Sequence, residues 1–359
     1  MNKFIFSAVA MMLLLLSGIC NIHAQSVTKN KPSDKSVKQS AFTEQPTILE
    51  TPTGVLHGTL MFPLSKSPHP IVLIIAGSGP TNRDGNSAVV SGSNNSLKML
   101  AEGLAGNGIA SLRYDKRGVG ESAKALGKES DLRFDVYIND AVLWSKQLRR
   151  DKRFSTLTII GQSEGSLVGM VAAQGKNADG FVSLAGLGRP ASQIILEQVR
   201  PRLPPDLMKS TEEIMALLAA GKTPESVPPS LNALFRPSVL PYLMSWIRYD
   251  PAQEIAKLSV PVLIIQGTTD IQVNIQNAKL LAKANSSAQL LIVEGMNHVL
   301  KQVPNEPNKQ TKSYGDPSLQ VVPQLVTETV KFVKKFSARD KNNVKRYLKI
   351  ESGCVFELK

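Results

Sequence analysis

Short, almost uninterrupted apolar runs recur along most of this chain, separated by polar turns. Continuous Val, Ile and Leu content is typical of strands that are covered on both faces of a sheet. Six runs predict such strands, at residues 71–76, 109–114, 156–160, 180–185, 260–266 and 289–293. Two alternating segments before them, 47–50 and 55–61, predict an antiparallel hairpin turned at Pro52 to Gly54. The pattern therefore predicts eight strands in one mostly parallel sheet.

Helical periodicity fills several of the gaps between these runs. Leu97, Leu100, Ala101 and Leu104 follow the i, i+3, i+4, i+7 spacing of a half-buried helix. Residues 135–149 and 321–336 predict further helices. Strands that alternate with helices build a helix-flanked α/β sheet, whose ligand crevice lies at the carboxyl ends of the strands.

The alternation stops between residues 188 and 256, where repeated prolines punctuate several helical stretches. This segment predicts a helical insertion placed as a lid over the sheet. Its apolar residues would either wall a pocket for an acyl chain or pack the segment on itself. They are Ile194, Ile195, Leu217, Leu218, Phe235, Leu240, Leu243 and Trp246.

A G-x-S-x-G pentapeptide, Gly161 to Gly165, joins the strand at 156–160 to a helical run that starts at Ser166. A sharp strand-to-helix turn lifts its central side chain, Ser163, to the apex. A Cβ atom at Gly161 or Gly165 would collide with a neighbouring element. The context predicts that Ser163 is an exposed nucleophile.

A serine hydroxyl needs a base, and the base needs an orienting acid. The chain has four histidines, and His298 is the one that follows a late strand downstream of the serine. For the acid, Asp270 comes directly after the strand at 260–266 and completes the order Ser, Asp, His. Glu294 is the alternative acid, ahead of Asp115 and Asp250.

Acyl transfer also requires amides directed at the developing oxyanion. The residue after the nucleophile, Glu164, supplies one amide at a helix start. The loop Gly77-Ser78-Gly79 follows the strand at 71–76, and the Ser78 N–H is predicted to be the second donor. Gly77 and Gly79 allow the backbone to approach a ligand closely.

With these motifs in place, the chain resembles the α/β-hydrolase superfamily over nearly all of residues 47–336. The stretch Leu112 to Ser122 is similar to the superfamily's D-x-R-G-x-G-x-S loop. Residues 76–85 and Gly295 to His298 resemble bacterial esterases related to serine aminopeptidase-type hydrolases. Ala76 departs from the histidine found there in many members. The resemblance implies the α/β-hydrolase fold and acyl transfer to water, without naming a substrate.

The ends of the chain have a different composition. Residues 1–24, with Lys3 and an apolar core, predict a signal peptide cleaved before Gln25 and export to the periplasm or extracellular space. Cys20 offers lipoprotein attachment as an alternative, although Ile19 suits that motif poorly. Residues 25–45 predict a disordered basic leader, 46–336 the hydrolase domain, and 337–359 a basic tail without an assigned role.

The net charge of +13 is concentrated at the ends. Residues 331–359 alone hold nine basic and three acidic side chains. No nucleic-acid-binding motif accompanies these charges, so solvated tails or association with the cell envelope explain them better.

The sequence therefore predicts an exported serine hydrolase, most simply a carboxylesterase for small to medium acyl esters. The partner expected is a small-molecule ester. No cofactor is expected, because this mechanism needs none, and no metal is expected, because the histidines are scattered. A serine peptidase remains the near alternative, with Glu197, Asp206, Glu212 and Glu213 available as amine anchors. A hydrolase-fold binding protein without catalysis is the remaining alternative.

Overall fold

The computed structural model describes residues 42–335. The predicted signal peptide with Cys20, the leader up to residue 41 and the tail at 337–359 lie outside the described residues. Within the described part of the chain, no helix combines the length and the apolarity needed to cross a bilayer.

Eight strands form one sheet in the order β1-β2-β4-β3-β5-β6-β7-β8. The first two pairings are antiparallel, and every pairing from β4 onward is parallel. The predicted number of strands and the mostly parallel sheet are confirmed. The strands are β1 (Phe42–Thr51), β2 (Gly54–Pro63), β3 (His69–Ile75), β4 (Ala110–Tyr114), β5 (Phe154–Gln162), β6 (Gly180–Leu184), β7 (Val262–Gly267) and β8 (Gln289–Val293).

The hairpin at the edge of the sheet is longer than predicted. Residues 42–45, expected to end a disordered leader, belong to β1, whose ladder with β2 runs from Phe42↔Pro63 to Thr51↔Gly54. An edge strand is held by its backbone hydrogen bonds and by one covered face, so it tolerates polar side chains and a proline. Most of β1 is exposed, which explains why its apolar content understated its length.

Helices cover both faces of the sheet. Successive residues of β3 point to opposite cores: Ile71, Leu73 and Ile75 join one cluster, Val72 and Ile74 the other. This double burial accounts for the continuous apolar runs. The helices are α1 (Ser96–Ala105), α2 (Phe134–Arg150), α3 (Glu164–Ala173), α4 (Ala191–Val199), α5 (Pro205–Ala219), α6 (Asn232–Phe235), α7 (Leu240–Trp246), α8 (Pro251–Ala256), α9 (Ile275–Ala284), α10 (Pro307–Ser313) and α11 (323–335).

The segment between β6 and β7 contains helices α4 to α8 and, within the described residues, no strand. It is anchored to the start of α2, where the Phe134 N–H donates to Ser245 Oγ at 2.8 Å. The Phe134 ring stacks on Trp246 with centroids 6.0 Å apart. The inserted helices therefore share the core of the sheet.

Candidate active site

Ser163 occupies the turn between β5 and α3. Its backbone has φ 57° and ψ −122°, a conformation that side-chain-bearing residues rarely adopt. Strain of this kind persists where the surrounding structure enforces it, and it is the geometry expected at a nucleophile elbow. The turn directs Ser163 into a cavity that His298 also lines.

The two glycines of the pentapeptide are required because neighbouring backbone lies too close to leave room for a Cβ atom at either position. A Cβ atom on Gly161 would lie 2.1 Å from the carbonyl oxygen of Gly165, within the turn itself. A Cβ atom on Gly165 would lie 2.5 Å from the carbonyl oxygen of Ile75 in β3. Both predicted collisions are present, so the turn brings α3 directly against the central strands.

His298 lies in the turn after β8, and its Nδ1 atom is 2.8 Å from Oδ2 of Asp270. The same carboxylate oxygen accepts from Gln266 Nε2 at 2.9 Å. The other, Oδ1, accepts from the backbone amides of Gln272 and Val273 at 2.8 and 2.9 Å. A carboxylate held at three other points favours the imidazole tautomer with its proton on Nδ1, which leaves Nε2 as a base.

The alternative acids lie elsewhere. Glu294 is exposed. Asp115 accepts from the guanidinium of Arg83 at 2.7 Å, and Asp250 accepts from the Ala252 amide at 3.0 Å, capping α8. The structure thus brings Asp270 to the imidazole, as the sequence predicted.

The remaining described histidines are away from this arrangement. His57 is paired with Ile48 in the edge hairpin. His69 begins β3, and burial lowers its pKa below the ordinary value of a histidine. His23 lies outside the described residues.

The loop after β3 passes directly beside the nucleophile. A Cβ atom on Gly77 would lie 3.2 Å from Cβ of Ser163 and 2.6 Å from Oε1 of Gln162. Gly79 adopts φ 74°, in the left-handed region that favours glycine. Ser78 lines the same cavity as Ser163. The geometry is compatible with the predicted oxyanion roles of the Ser78 and Glu164 amides, which stay predictions.

Gln162 joins the parts of the site, and sequence reasoning did not single it out. Its Nε2 donates to the backbone carbonyl of His298 at 3.1 Å, and its Oε1 accepts from the Gly77 N–H at 3.1 Å. One side chain therefore ties the oxyanion loop to the histidine turn. Because the Gly77 amide is engaged, the next amide along the loop, that of Ser78, is the better candidate for a substrate oxyanion.

Two cavities adjoin Ser163. The larger, about 80 Å³, is lined by more polar than apolar residues, although polar and apolar atoms both face it. Its uncharged polar lining includes Thr81, Ser87, Asn94, Ser96, Gln272, Thr311 and Tyr314. The smaller, about 20 Å³, lies under the inserted helices, and polar and apolar atoms face it about equally. Its apolar lining residues are Leu187, Ala191, Ile194, Ile195, Trp246 and Val273, and its polar ones are Ser78, Ser163, Glu164, Gln198 and Gln272.

Of the eight apolar residues expected either to wall a pocket or to pack the segment on itself, three line this cavity: Ile194, Ile195 and Trp246. Leu218, Phe235, Leu240 and Leu243 are buried in the core, and Leu217 is 37% exposed. Packing of the inserted segment on the domain thus accounts for most of its apolar content.

Tyr314 lines one side of the larger cavity. Its hydroxyl accepts from Gln272 Nε2 at 2.6 Å. Burial and the nearby charge of Asp270 raise the pKa of Tyr314, so the phenol stays protonated and offers its O–H. The polar segment at 305–318, part of which forms α10, contributes Thr311 and Tyr314 to the lining.

Comparisons with known proteins agree with this architecture. The family model described as "Serine aminopeptidase, S33" matches residues 90–233, a range that includes Ser163 and ends before Asp270 and His298. Esterase EstD of Thermotoga maritima is 29% identical over 250 residues, which are 68% of this chain. The matched region spans 58% of that relative's length.

Solved structures share the fold at low sequence identity. Est1E from Butyrivibrio proteoclasticus, solved with bound ferulic acid, superimposes with a TM-score of 0.52 at 18% identity, over 75% of this chain and 96% of its own. The alpha/beta hydrolase GrgF from Penicillium sp. gives 0.52 at 19% identity, over 82% of this chain and 98% of its own.

Proposed function

We propose that this chain, which belongs to the α/β-hydrolase superfamily, is a serine carboxylesterase. The observation that carries the proposal is the 2.8 Å contact between His298 and Asp270 beside a cavity that Ser163 also lines. A nucleophile on a strained turn, an oriented imidazole and a glycine-rich amide loop are the three parts that acyl transfer requires.

In the proposed reaction, Ser163 Oγ attacks the ester carbonyl carbon while His298 Nε2 takes the hydroxyl proton. The carbonyl π electrons move to oxygen, and the N–H groups of Ser78 and Glu164 stabilise this oxyanion. Collapse of the tetrahedral intermediate breaks the bond to the alcohol, which receives the proton from His298. Water, deprotonated by His298, then attacks the acyl carbonyl carbon. The bond to Ser163 Oγ breaks, Oγ takes the proton back from His298, and the carboxylic acid is released.

Charge distribution favours an ester over a peptide with a free amino terminus. Among the described residues that line the two cavities, Glu164 is the one carboxylate, and it is already bound by Lys116 and Tyr242. Glu197 and Glu212 pair with arginines of their own segment. An α-ammonium group would therefore find no free acidic partner among these lining residues.

The two cavities suggest where the acyl part and the alcohol part of an ester would bind. The small cavity suits a short acyl chain, because Ile194, Ile195 and Trp246 offer it apolar surface and methylene groups are stabilised when they leave water. The larger cavity, with its many uncharged polar lining residues, suits an alcohol that carries hydroxyl or other hydrogen-bonding groups, because buried donors and acceptors need partners.

A single substrate screen tests the proposal. Purified protein is assayed with p-nitrophenyl esters and with aminoacyl anilides, alongside Ser163→Ala. The proposal expects turnover of the esters that is lost in the variant. A strong preference for free-amine anilides would establish a peptidase instead, and a protein that binds such ligands without any turnover would be the non-catalytic alternative.

Export is proposed together with this activity, on the sequence of residues 1–24 alone. The protein produced in a bacterium with a signal peptidase is expected in the periplasm or medium with Gln25 as its first residue. Amino-terminal sequencing and mass spectrometry check this. A lipid attached at Cys20 would replace cleavage with membrane anchoring, and full-length protein in the cytoplasm would contradict export.

A further inference from the structure

A fully buried lysine, Lys116, lies behind the loop that carries the proposed oxyanion donors. It follows β4, and its side chain is 1% exposed. Its Nζ atom donates to the carbonyl oxygen of Gly77 at 2.6 Å and to Oε1 of Glu164 at 3.0 Å. The ammonium also lies 4.9 Å from the ring centroid of Tyr137, a favourable cation–π distance.

The first contact acts on the peptide group that donates to the oxyanion. The carbonyl of Gly77 and the N–H of Ser78 belong to the same planar peptide. In a trans peptide these two groups point in opposite directions. An ammonium that holds the oxygen on the buried side therefore keeps the Ser78 N–H directed away from it. A charged donor on the oxygen also polarises the peptide, which strengthens its N–H as a donor.

The second contact acts on the other proposed donor. Glu164 begins α3 and supplies its backbone N–H, while its side chain reaches back to Lys116. The second carboxylate oxygen, Oε2, accepts from the hydroxyl of Tyr242 at 2.8 Å. Burial and the charge of Glu164 raise the pKa of Tyr242 well above its ordinary value, so this hydroxyl remains a donor. The Glu164 carboxylate thus accepts from Lys116, just after β4, and from Tyr242 of the inserted helix α7.

We infer that Lys116 is a positioning residue for the oxyanion hole, because a single ammonium bonds to both residues whose amides would bind the oxyanion. The inference rests on the proposed esterase activity and deepens it. It adds a residue that efficient turnover requires, although this residue lies behind the site and does not contact the substrate. A buried ion pair that only stabilises the fold is the competing explanation, and the two differ in what they predict for turnover.

The decisive variant removes both charges at once. Lys116→Met alone leaves the Glu164 carboxylate buried without its cation and is expected to be unstable. The double variant Lys116→Met/Glu164→Gln is nearly isosteric and leaves no unpaired charge, so it is expected to regain most of the melting temperature. Because the oxyanion contact forms only in the transition state, its kcat is expected to fall at least about tenfold with KM changed less than about twofold.

Tyr242→Phe is the matched control. It removes a hydrogen bond to the same carboxylate and leaves the contact between Lys116 and Gly77 intact. We expect lower thermal stability with kcat within about twofold of the wild type. If the double variant does not fold, an apolar triple variant, Lys116→Met/Glu164→Met/Tyr242→Phe, supplies the same comparison.

The outcomes separate the two claims. A double variant with a restored melting temperature and a wild-type kcat on p-nitrophenyl acetate would overturn the positioning role and leave the esterase proposal standing. A wild-type protein that hydrolyses no ester would overturn both. Restored stability with a kcat that stays low supports the inference.

Discussion

The Nδ1 atom of His298 and the Oδ2 atom of Asp270 lie 2.8 Å apart, although 28 residues separate them in the chain. They meet because β7 and β8 are parallel neighbours, so the turns after both strands reach the same edge of the sheet. Asp270 is fixed in turn by two backbone amides and by Gln266. The imidazole is therefore oriented before any substrate arrives.

Replacing Asp270 by Asn is expected to leave the fold intact and to lower kcat by about 10³- to 10⁴-fold, since the imidazole loses the partner that fixes its tautomer. Steady-state kinetics with a p-nitrophenyl ester measure this, with circular dichroism as the check on folding. The matched control is Glu294→Gln, at the exposed alternative acid, which should retain wild-type turnover. If Asp270→Asn kept the wild-type kcat and Glu294→Gln lost it, Glu294 would be the acid instead.

Much of this architecture is encoded locally and was predictable. Strands that are buried on both faces appear in the sequence as continuous apolar runs. The helix at 96–105 shows the i, i+3, i+4, i+7 spacing of a half-buried helix. The turn at Ser163 carries its glycines because of steric contacts within a few residues and with β3. Asp270 and His298 could be placed because a parallel sheet gathers the carboxyl ends of its strands.

Other parts of the site depend on distant contacts that leave no local signal. Gln162 bridges Gly77 and His298 across 85 and 136 positions of sequence. In the sequence, Lys116 has the pattern of an exposed cation in a charged loop. Its place under Gly77 results from the pairing of β4 with β3, which the local sequence does not show. The edge strand β1 was underestimated because its backbone pairing, not apolar content, defines its length.

The small cavity under the inserted helices predicts a limit on acyl length. With p-nitrophenyl esters, kcat/KM should rise from acetate to a short-chain optimum, at about fourfold per methylene, since each buried CH₂ contributes about 0.8 kcal/mol. For longer acyl chains kcat/KM should then decrease, because a cavity of about 20 Å³ holds only a short chain.

Ile195→Ala should enlarge this cavity and move the optimum to longer chains. Leu217→Ala, in the same inserted segment but on an exposed side chain, is the matched control and should leave the chain-length profile unchanged. A profile that does not respond to Ile195→Ala would place the acyl group in the larger cavity instead.

Gly165→Ala is expected to destabilise the domain, because the new Cβ atom would lie 2.5 Å from a backbone oxygen of β3. The helix α3 would have to move off the sheet, at a cost of about 1–3 kcal/mol in the free energy of unfolding. Urea denaturation measures the loss. Gly127→Ala, with no heavy atom within 4 Å of the added Cβ, should be close to neutral, and equal effects at both glycines would contradict the steric account.

Lys301 predicts a pH dependence of stability. Its Nζ donates to the Leu319 carbonyl at 2.6 Å, yet burial lowers the pKa of Lys301 to about 8, against the opposing effect of Asp316. An unfolded lysine keeps its proton up to about pH 10.4. Between about pH 8 and pH 10.4, the unfolded state therefore binds more protons at this lysine than the folded state does. The contribution of Lys301 to the free energy of unfolding thus rises with pH in this range.

The comparison is the unfolding free energy of the wild type and of Lys301→Met at pH 7 and pH 9.5. The wild type should gain stability relative to the variant at the higher pH. A difference that stays constant, or that shrinks, would show that the folded state does not lower this pKa.

The central claim, that Ser163 is an activated nucleophile, is tested most directly by covalent labelling. A fluorophosphonate probe should modify the wild-type protein at a single site, and mass spectrometry of the digested protein should locate the adduct on Ser163. The Ser163→Ala variant, folded by circular dichroism, should show no labelling. A wild-type protein that never reacts, or labelling that persists in Ser163→Ala, would contradict the account.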